Sequence, residues 1–225
     1  MNQIKKVHDI LLEEYGEQGW WPKTRKGERI PGYDKRNKHK RPSKKERLEI
    51  TLGAILTQNT SWKNVEKTIE KLHEKGLVNA GKLKELPEKE LAELIRSSGY
   101  FNQKARKIKE FLKYEGKVTR EGLLSIWGIG PETADSILLY AYHRPYFVVD
   151  AYTKRVFSRM GLCPDGMEYE EIQEIFHSKL ERDPALFNEY HALIVEHAKR
   201  HCRKNPECEG CPVERICRNR NAVFK

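Results

Sequence analysis

Ile126-Trp127-Gly128-Ile129-Gly130-Pro131-Glu132-Thr133-Ala134 is the stretch that decides how this chain folds. Glu121 to Ile126 reads as a short helix. Gly128 and Gly130 break it, and Pro131 can open a second helix, where its missing N–H costs nothing. The pattern is helix, tight turn, helix. Its glycines permit positive φ and let the backbone come close to a ligand. The turn ends at a helix N-terminus, where unpaired N–H groups and the helix dipole favour an anion such as a phosphate. A Gly-x-Gly turn is also an ordinary way to join two helices, so its weight comes from its surroundings.

Outward from the turn, apolar residues keep a helical period almost everywhere. Ile4, Val7 and Leu11 share a face, and Gly16 can close that helix. Leu48, Leu52, Ile55 and Leu56 form a stripe, and Val65, Ile69 and Leu72 continue it up to Gly76. Pro87 opens a helix carrying Leu91, Leu94 and Ile95. Lys104 to Leu112 is another, with Ala105, Ile108 and Leu112 inside. The second helix of the hairpin is expected to run to about Tyr142. The apolar run Tyr146-Phe147-Val148-Val149 is too short to build a sheet and reads as a buried connector. Helices resume at about Ala151–Met160, Tyr169–Glu181 and Leu186–His201. The expected class is all-α.

The chain has 225 residues, of which 38% are hydrophobic and 34% charged, enough for a real core under a wet surface. A formal net charge of +10 favours a polyanionic partner, nucleic acid before membrane. Arg25 to Arg47 holds 11 Lys/Arg and 3 Asp/Glu, a net +8, and lacks apolar periodicity. It reads as a basic loop, either an arm that tracks phosphates or a solvated insertion. No apolar run approaches 20 residues and the N-terminus lacks a signal-peptide pattern, so a cytoplasmic protein without a membrane span is expected. Four of the five cysteines fall in the last 24 residues, which points to a metal site rather than a disulfide framework.

Asp150 stands twenty residues beyond Gly130, at the end of the apolar run. A carboxylate there is poised to be partly desolvated, which tunes its charge. It also sits where it could cap the helix beginning at Ala151. The two roles are compatible.

Together these segments resemble the helix-hairpin-helix DNA glycosylases of the endonuclease III superfamily. Gly128-Ile129-Gly130, Thr133-Ala134 and Val149-Asp150 carry the match, with Arg155-Val156 behind them. Ser98-Gly99-Tyr100 with Lys104-Ala105, and Leu56-Thr57-Gln58-Asn59-Thr60, are similar to further family segments. The resemblance spans roughly Leu48 to Cys217. It implies two helical domains with a cleft that takes double-stranded DNA containing a damaged base. It implies phosphate contacts at Gly128, Ile129, Gly130 and Thr133, a wedge into the duplex at Gln58, and catalysis by Asp150, in a protein expected to be a monomer. The division read on this basis is an N-terminal helix and Trp20-Trp21-Pro22 segment over 1–23 that packs with the C-terminal domain. A basic insertion over 24–47, a hairpin domain over 48–149 and a C-terminal domain over 150–225 complete it.

Cys202, Cys208, Cys211 and Cys217 give the spacing C-x5-C-x2-C-x5-C. By count alone four thiolates suit zinc or a [4Fe–4S] cluster equally. The resemblance implies the cluster, in a loop one residue shorter than the family's first cysteine spacing. Arg200, Arg203, Lys204 and Arg215 surround it, facing DNA or offsetting cluster charge. Cys163 lies outside the spacing and reads as a small core residue.

Members of the family that cleave the strand carry a nucleophilic lysine two residues after the hairpin's second glycine. Here that position is Glu132, so a monofunctional enzyme that uses water is implied. Trp20-Trp21-Pro22 and Leu56 through Trp62 resemble the 3-methyladenine glycosylase branch, where aromatics sandwich the damaged base. That maps onto Trp20 or Trp21 together with Trp62. Alkylated purines such as 3-methyladenine are cationic, and a cation over tryptophan gains about 0.5–2 kcal/mol. The alternatives are a mismatch-directed adenine or thymine glycosylase, an oxidised-pyrimidine enzyme of endonuclease III type, and a non-catalytic iron–sulfur DNA-binding protein.

Overall fold

The computed structural model of the protein describes residues 2–35 and 40–218. Arg36 to His39 of the basic stretch and the last seven residues of the C-terminal segment lie outside the described residues. The described residues hold eleven α-helices and, in place of any strand, a single bridge between Lys23 and Gly32. The class is all-α. Among the described residues no helix is long and apolar enough to cross a membrane.

The chain divides into two compact units. One contains the chain up to Trp20 and again from Pro145; the other contains Trp21–Asp34 and Lys40–Arg144.

The second unit is built around α2 (Lys44–Leu56), whose residues from Glu49 to Leu56 are all buried. On it pack α3 (Trp62–Glu74), α6 (Phe101–Lys113) and α8 (Pro131–Ser136), while α4 (Ala80–Glu85) and α5 (Glu88–Leu94) pack on α6 and α7 (Arg120–Leu124) on α8. Lys44 to Arg47, expected in the basic loop, form the first turn of α2. A capping box starts the helix there: Ser43 accepts from the Glu46 N–H, and Glu46 accepts from the Ser43 N–H. The run of charge hid the Ser-x-x-Glu signal. Lys23 also pairs with Glu46, at 2.8 Å.

The hairpin helices are α7 and α8. Asp135 is fully buried and accepts from Arg120 Nε at 2.9 Å, which clamps one helix to the other. The second hairpin helix does not run as α-helix to Tyr142. From Ile137 to Ala141 it widens to a π-helix, closed by a bond from the Tyr142 N–H to the Ile137 carbonyl at 3.2 Å. All five of those residues are buried, so no polar face holds the α period.

The first unit is built around α11 (Pro184–Arg200), packed on α1 (Gln3–Tyr15) and α9 (Ala151–Arg159), with α10 (Tyr169–Lys179) alongside. Its core is aromatic: Phe147, Phe157, Phe176, Phe187 and Tyr190 are buried together. The Phe147 and Phe176 rings stack at 3.8 Å and 8°. Each such ring contributes roughly 1.5–3 kcal/mol on burial.

The connector before Asp150 lacks a sheet to satisfy its backbone. Side chains of α10 do so instead. Gln173 Nε2 donates to the Phe147 carbonyl at 2.7 Å, and the Phe147 N–H donates to His177 Nε2 at 3.0 Å. The Val149 N–H reaches the Tyr169 hydroxyl at 3.4 Å. Buried backbone groups must be paired, and this pairing fixes the chain one residue before Asp150.

Candidate active site and cysteine loop

The hairpin's two glycines do different things. Gly128 has φ +79°, which glycine alone adopts at little cost. A Cβ there would sit 2.7 Å from side-chain carbons of Lys107, so the turn lies directly on that lysine. Gly130 has φ −91° and ψ 177°, open to any residue, and a Cβ there would meet nothing within 4 Å. The sequence reading gave both glycines the same freedom; only Gly128 uses it. Ile129 is buried and anchors the turn, and α8 begins with no side-chain cap on its first N–H groups. Thr133 is buried in the first turn, and Glu132 is exposed beside it.

Gln58 is tied to this hairpin. Its Nε2 donates to Thr133 Oγ1 at 2.6 Å, and its Oε1 accepts from Lys107 Nζ. Because Thr133 accepts here, its own O–H remains a donor. Lys104 is fully buried and donates to the carbonyls of Leu56, at 2.8 Å, and Ser98, at 2.5 Å. Its ammonium thus terminates α2 just ahead of Gln58, where cations favour a helix C-terminus. Burial, helped by Lys107, lowers its pKa to about 8.

The adjacent tryptophans part company at the boundary between units. Trp21 meets Trp62 edge to face, with ring centres 5.3 Å apart at 88°, and lies 4.8 Å from Tyr140. Gly53 makes room for it: a Cβ there would stand 3.2 Å from the indole. Trp62 Nε1 donates to Glu66 at 2.7 Å. This edge-to-face contact differs from two parallel plates. Trp20 belongs to the other unit, with its ring 5.7 Å from that of His191.

In that first unit Asp150 caps α9. Its Oδ1 accepts from the Thr153 N–H at 2.7 Å and from the Thr153 hydroxyl at 2.9 Å. Its Oδ2 lies 3.5 Å from His191 Nε2. Burial alone would raise its pKa, but the charge of His191 and the bonds from Thr153 outweigh it. The carboxyl is held below its ordinary value. Asp150 is therefore an anion at neutral pH, with one oxygen committed to the helix and the other turned to a histidine.

Cys202, Cys208, Cys211 and Cys217 line one cavity, walled by Val156, Met160, Pro206 and Val213. Among the described residues no three His, Cys, Asp or Glu side chains come together closely enough to hold a single metal ion. Burial and the three neighbouring cysteines push the Cys211 thiol up to about 11. Two arginines of α9 pin the loop. Arg155 Nε donates to the Cys202 carbonyl at 2.7 Å. Arg159 donates to Cys202 Sγ at 3.4 Å and to the carbonyls of Arg203, at 2.5 Å, and Lys204, at 2.9 Å. Cys163 is buried in the core.

The family model described as HhH-GPD superfamily base excision DNA repair protein matches residues 52–182, more than half of the chain. The chain belongs to that superfamily. It is a DNA base-excision repair glycosylase of the endonuclease III superfamily. It is 43% identical over 230 residues to the Methanocaldococcus jannaschii protein MJ1434, whose name provisionally assigns it as a DNA repair glycosylase, with 95% of each chain covered. Its fold is similar to that of endonuclease III trapped as a covalent intermediate with DNA, at a TM-score of 0.79 and 22% identity, covering 99% of this chain and 98% of that one. It is also similar to the 3-methyladenine DNA glycosylase of H. pylori bound to 1,N6-ethenoadenine, at a TM-score of 0.69 and 26% identity, covering 89% and 98%.

The glycosylase has three further residues at these places that sequence reading missed: His191, Lys107 and Arg159. His191 did leave a signal. It falls on the buried stripe of α11, with Phe187, Ile194 and Ala198, where an imidazole needs a partner.

Proposed function

We propose that the glycosylase hydrolyses the N-glycosidic bond of an alkylated purine, such as 3-methyladenine or 7-methylguanine, flipped out of double-stranded DNA, with no strand cleavage of its own. The geometry of Asp150 carries this reading: a partly buried, ionised carboxylate with one oxygen fixed by Thr153 and the other facing His191. As the bond breaks, the base departs with the electron pair and the sugar takes on positive charge. Asp150 stabilises that charge, and it accepts the proton of the water that attacks the sugar. A cationic alkylpurine leaves as a neutral base, so no group has to protonate it first. Glu132 at the lyase position has no amine to form a Schiff base. The aromatic group of Trp21, Trp62 and Tyr140 offers the π-rich surface a cationic base favours, and Trp20 stands beside His191. The 26%-identical neighbour is a 3-methyladenine glycosylase, which agrees with this choice.

The hairpin would hold the DNA backbone. At Gly130 neither φ nor protein packing requires glycine. Close approach of a phosphate to the uncapped N–H groups of α8 does. Gly130→Ala is accordingly expected to leave the melting temperature unchanged and to weaken duplex binding about tenfold, or 1.4 kcal/mol. Fluorescence anisotropy of a labelled duplex measures this, and unaltered affinity would remove Gly130 from the interface. Gln58, bonded to Thr133 and Lys107, would act as the wedge once a phosphate competes for Thr133.

Cys202, Cys208, Cys211 and Cys217 would hold a [4Fe–4S] cluster, which supplies a cross-link for the C-terminal loop. The four thiols line one cavity, which agrees with a single group held between them. Arg159, donating to Cys202 Sγ, would offset cluster charge.

The substrate is tested with duplexes carrying 3-methyladenine, 7-methylguanine, hypoxanthine, thymine glycol or a mismatch. Release of the alkylated purines first is the expected result. Release of thymine glycol or a mismatched base alone would overturn the choice of substrate.

A further inference from the structure

Capping consumes one oxygen of Asp150 and leaves Oδ2 for chemistry. His191 Nε2 stands 3.5 Å from that oxygen, with the histidine side chain 6% exposed and the aspartate 15%. The same turn of α11 also grips the segment that leads to Trp20. Asn188 Nδ2 donates to the Trp20 carbonyl at 3.0 Å, and Glu189 Oε1 accepts from the Gln18 N–H at 2.6 Å. The Trp20 ring then meets the edge of His191 at 5.7 Å and 71°. One helical turn therefore holds both the carboxylate and an aromatic side chain of the expected base pocket.

The other titratable groups on the elements packed here face different partners. On α1, His8 bonds Asp9 and Tyr15 bonds His197. On α11, Glu189 takes the Gln18 N–H, and Tyr190 donates to the Ile4 carbonyl. On α9, Arg155 holds the carbonyls of Cys202 and Ala198, and its guanidinium lies over Tyr152. Tyr169 of α10 serves the Val149 N–H. His191 is the group that opposes Asp150 across Oδ2.

We propose that His191 is the positioning residue of the glycosylase: it orients Oδ2 of Asp150, keeps the partly buried carboxylate ionised, and couples it to the placement of Trp20. The inference rests on the reading of Asp150 as the catalytic group. Desolvation drives a carboxylate towards its neutral form, and an opposing histidine together with hydrogen-bond donors reverses this. Asp150 shows that reversal, since its pKa is lowered despite burial. Because it must be deprotonated to act, the rate falls as pH drops through its pKa. With His191 present, that acid limb lies below the ordinary carboxylate range. Without it, the limb moves upward.

The test is single-turnover release of 3-methyladenine from a duplex between pH 5 and 9, for the native protein and for His191→Phe, His191→Gln and Asp150→Asn. His191→Phe is expected to lose about tenfold in rate near pH 5 and to recover to within about threefold of native near pH 8, corresponding to a limb moved upward by about two pH units or more. His191→Gln keeps a donor without the charge. It is expected to restore the rate near pH 8 in full and to keep the displaced limb, which holds the test open if the phenylalanine variant does not fold. A parallel ¹³C titration of the Asp150 carboxyl, assigned by its absence in Asp150→Asn, needs no substrate. It is expected to show the same upward displacement. A rate lowered equally at every pH, or an Asp150 titration that does not move, would overturn the proposal and leave His191 as packing. Full activity in Asp150→Asn would instead overturn the catalytic reading of Asp150, while the ¹³C titration still decides whether the pair is coupled.

Discussion

Asp150→Asn is expected to lower single-turnover base release by about 10³-fold while leaving the fold intact. The two halves of that expectation have separate physical causes. Asparagine caps a helix as well as aspartate does, so its oxygen still accepts from Thr153, and the melting temperature should stay close to native. In the proposed mechanism, what disappears is the negative charge that opposes the forming oxocarbenium and the base that takes the proton from water. Each of those effects contributes roughly 10²–10³-fold or more when removed alone. Asp150→Ala separates them, since it also loses the cap, at about 1 kcal/mol. Equal base release by the native and asparagine proteins would remove Asp150 from the chemistry. A large fall in melting temperature for the asparagine variant would show that its charge is needed by the fold.

Cys211→Ser carries the second large effect. The native protein is expected to be brown, with a broad absorption near 400 nm, and the variant to lose it. A metal group that cross-links a loop contributes folding energy directly. The loop from Cys202 to Cys217 is otherwise held largely by polar contacts, those of Arg155 and Arg159 among them, and Val213 is its buried apolar residue among the described residues. A loss of about 3 kcal/mol would lower the melting temperature by roughly 6–12 °C in a chain of this size. A colourless native protein containing one equivalent of zinc would overturn the assignment.

What could be read in the sequence was what is local in the chain. The hairpin, the buried connector before Asp150 and the cysteine spacing are each written within about twenty residues, as glycine positions, an apolar run and thiol intervals. The residues that complete them were not legible because their partners are remote. Lys107 reaches Gln58 across 49 positions, and Arg159 reaches Cys202 across 43. Composition and periodicity carry no information about such pairings. Trp20 and Trp21 show the same limit at its sharpest. They are neighbours in sequence, yet one packs against His191 and the other against Trp62 and Tyr140. The start of α2 was legible in principle through Ser43 and Glu46, but the surrounding charge masked it. The π-helical turn had no signal, because five consecutive buried apolar residues fit either winding.

The central claim is that this glycosylase directs water, and not an amine, at the sugar. Incubating it with a duplex from which it releases a base, and dividing the product between neutral quenching and hot alkali, tests that most directly. The expected result is an intact strand after neutral quenching, full cleavage after alkali, and no protein–DNA adduct when borohydride is present. Strand cleavage without alkali, together with a borohydride-trapped adduct, would contradict the claim. It would mean that a lysine elsewhere in the chain performs the role that Glu132 cannot.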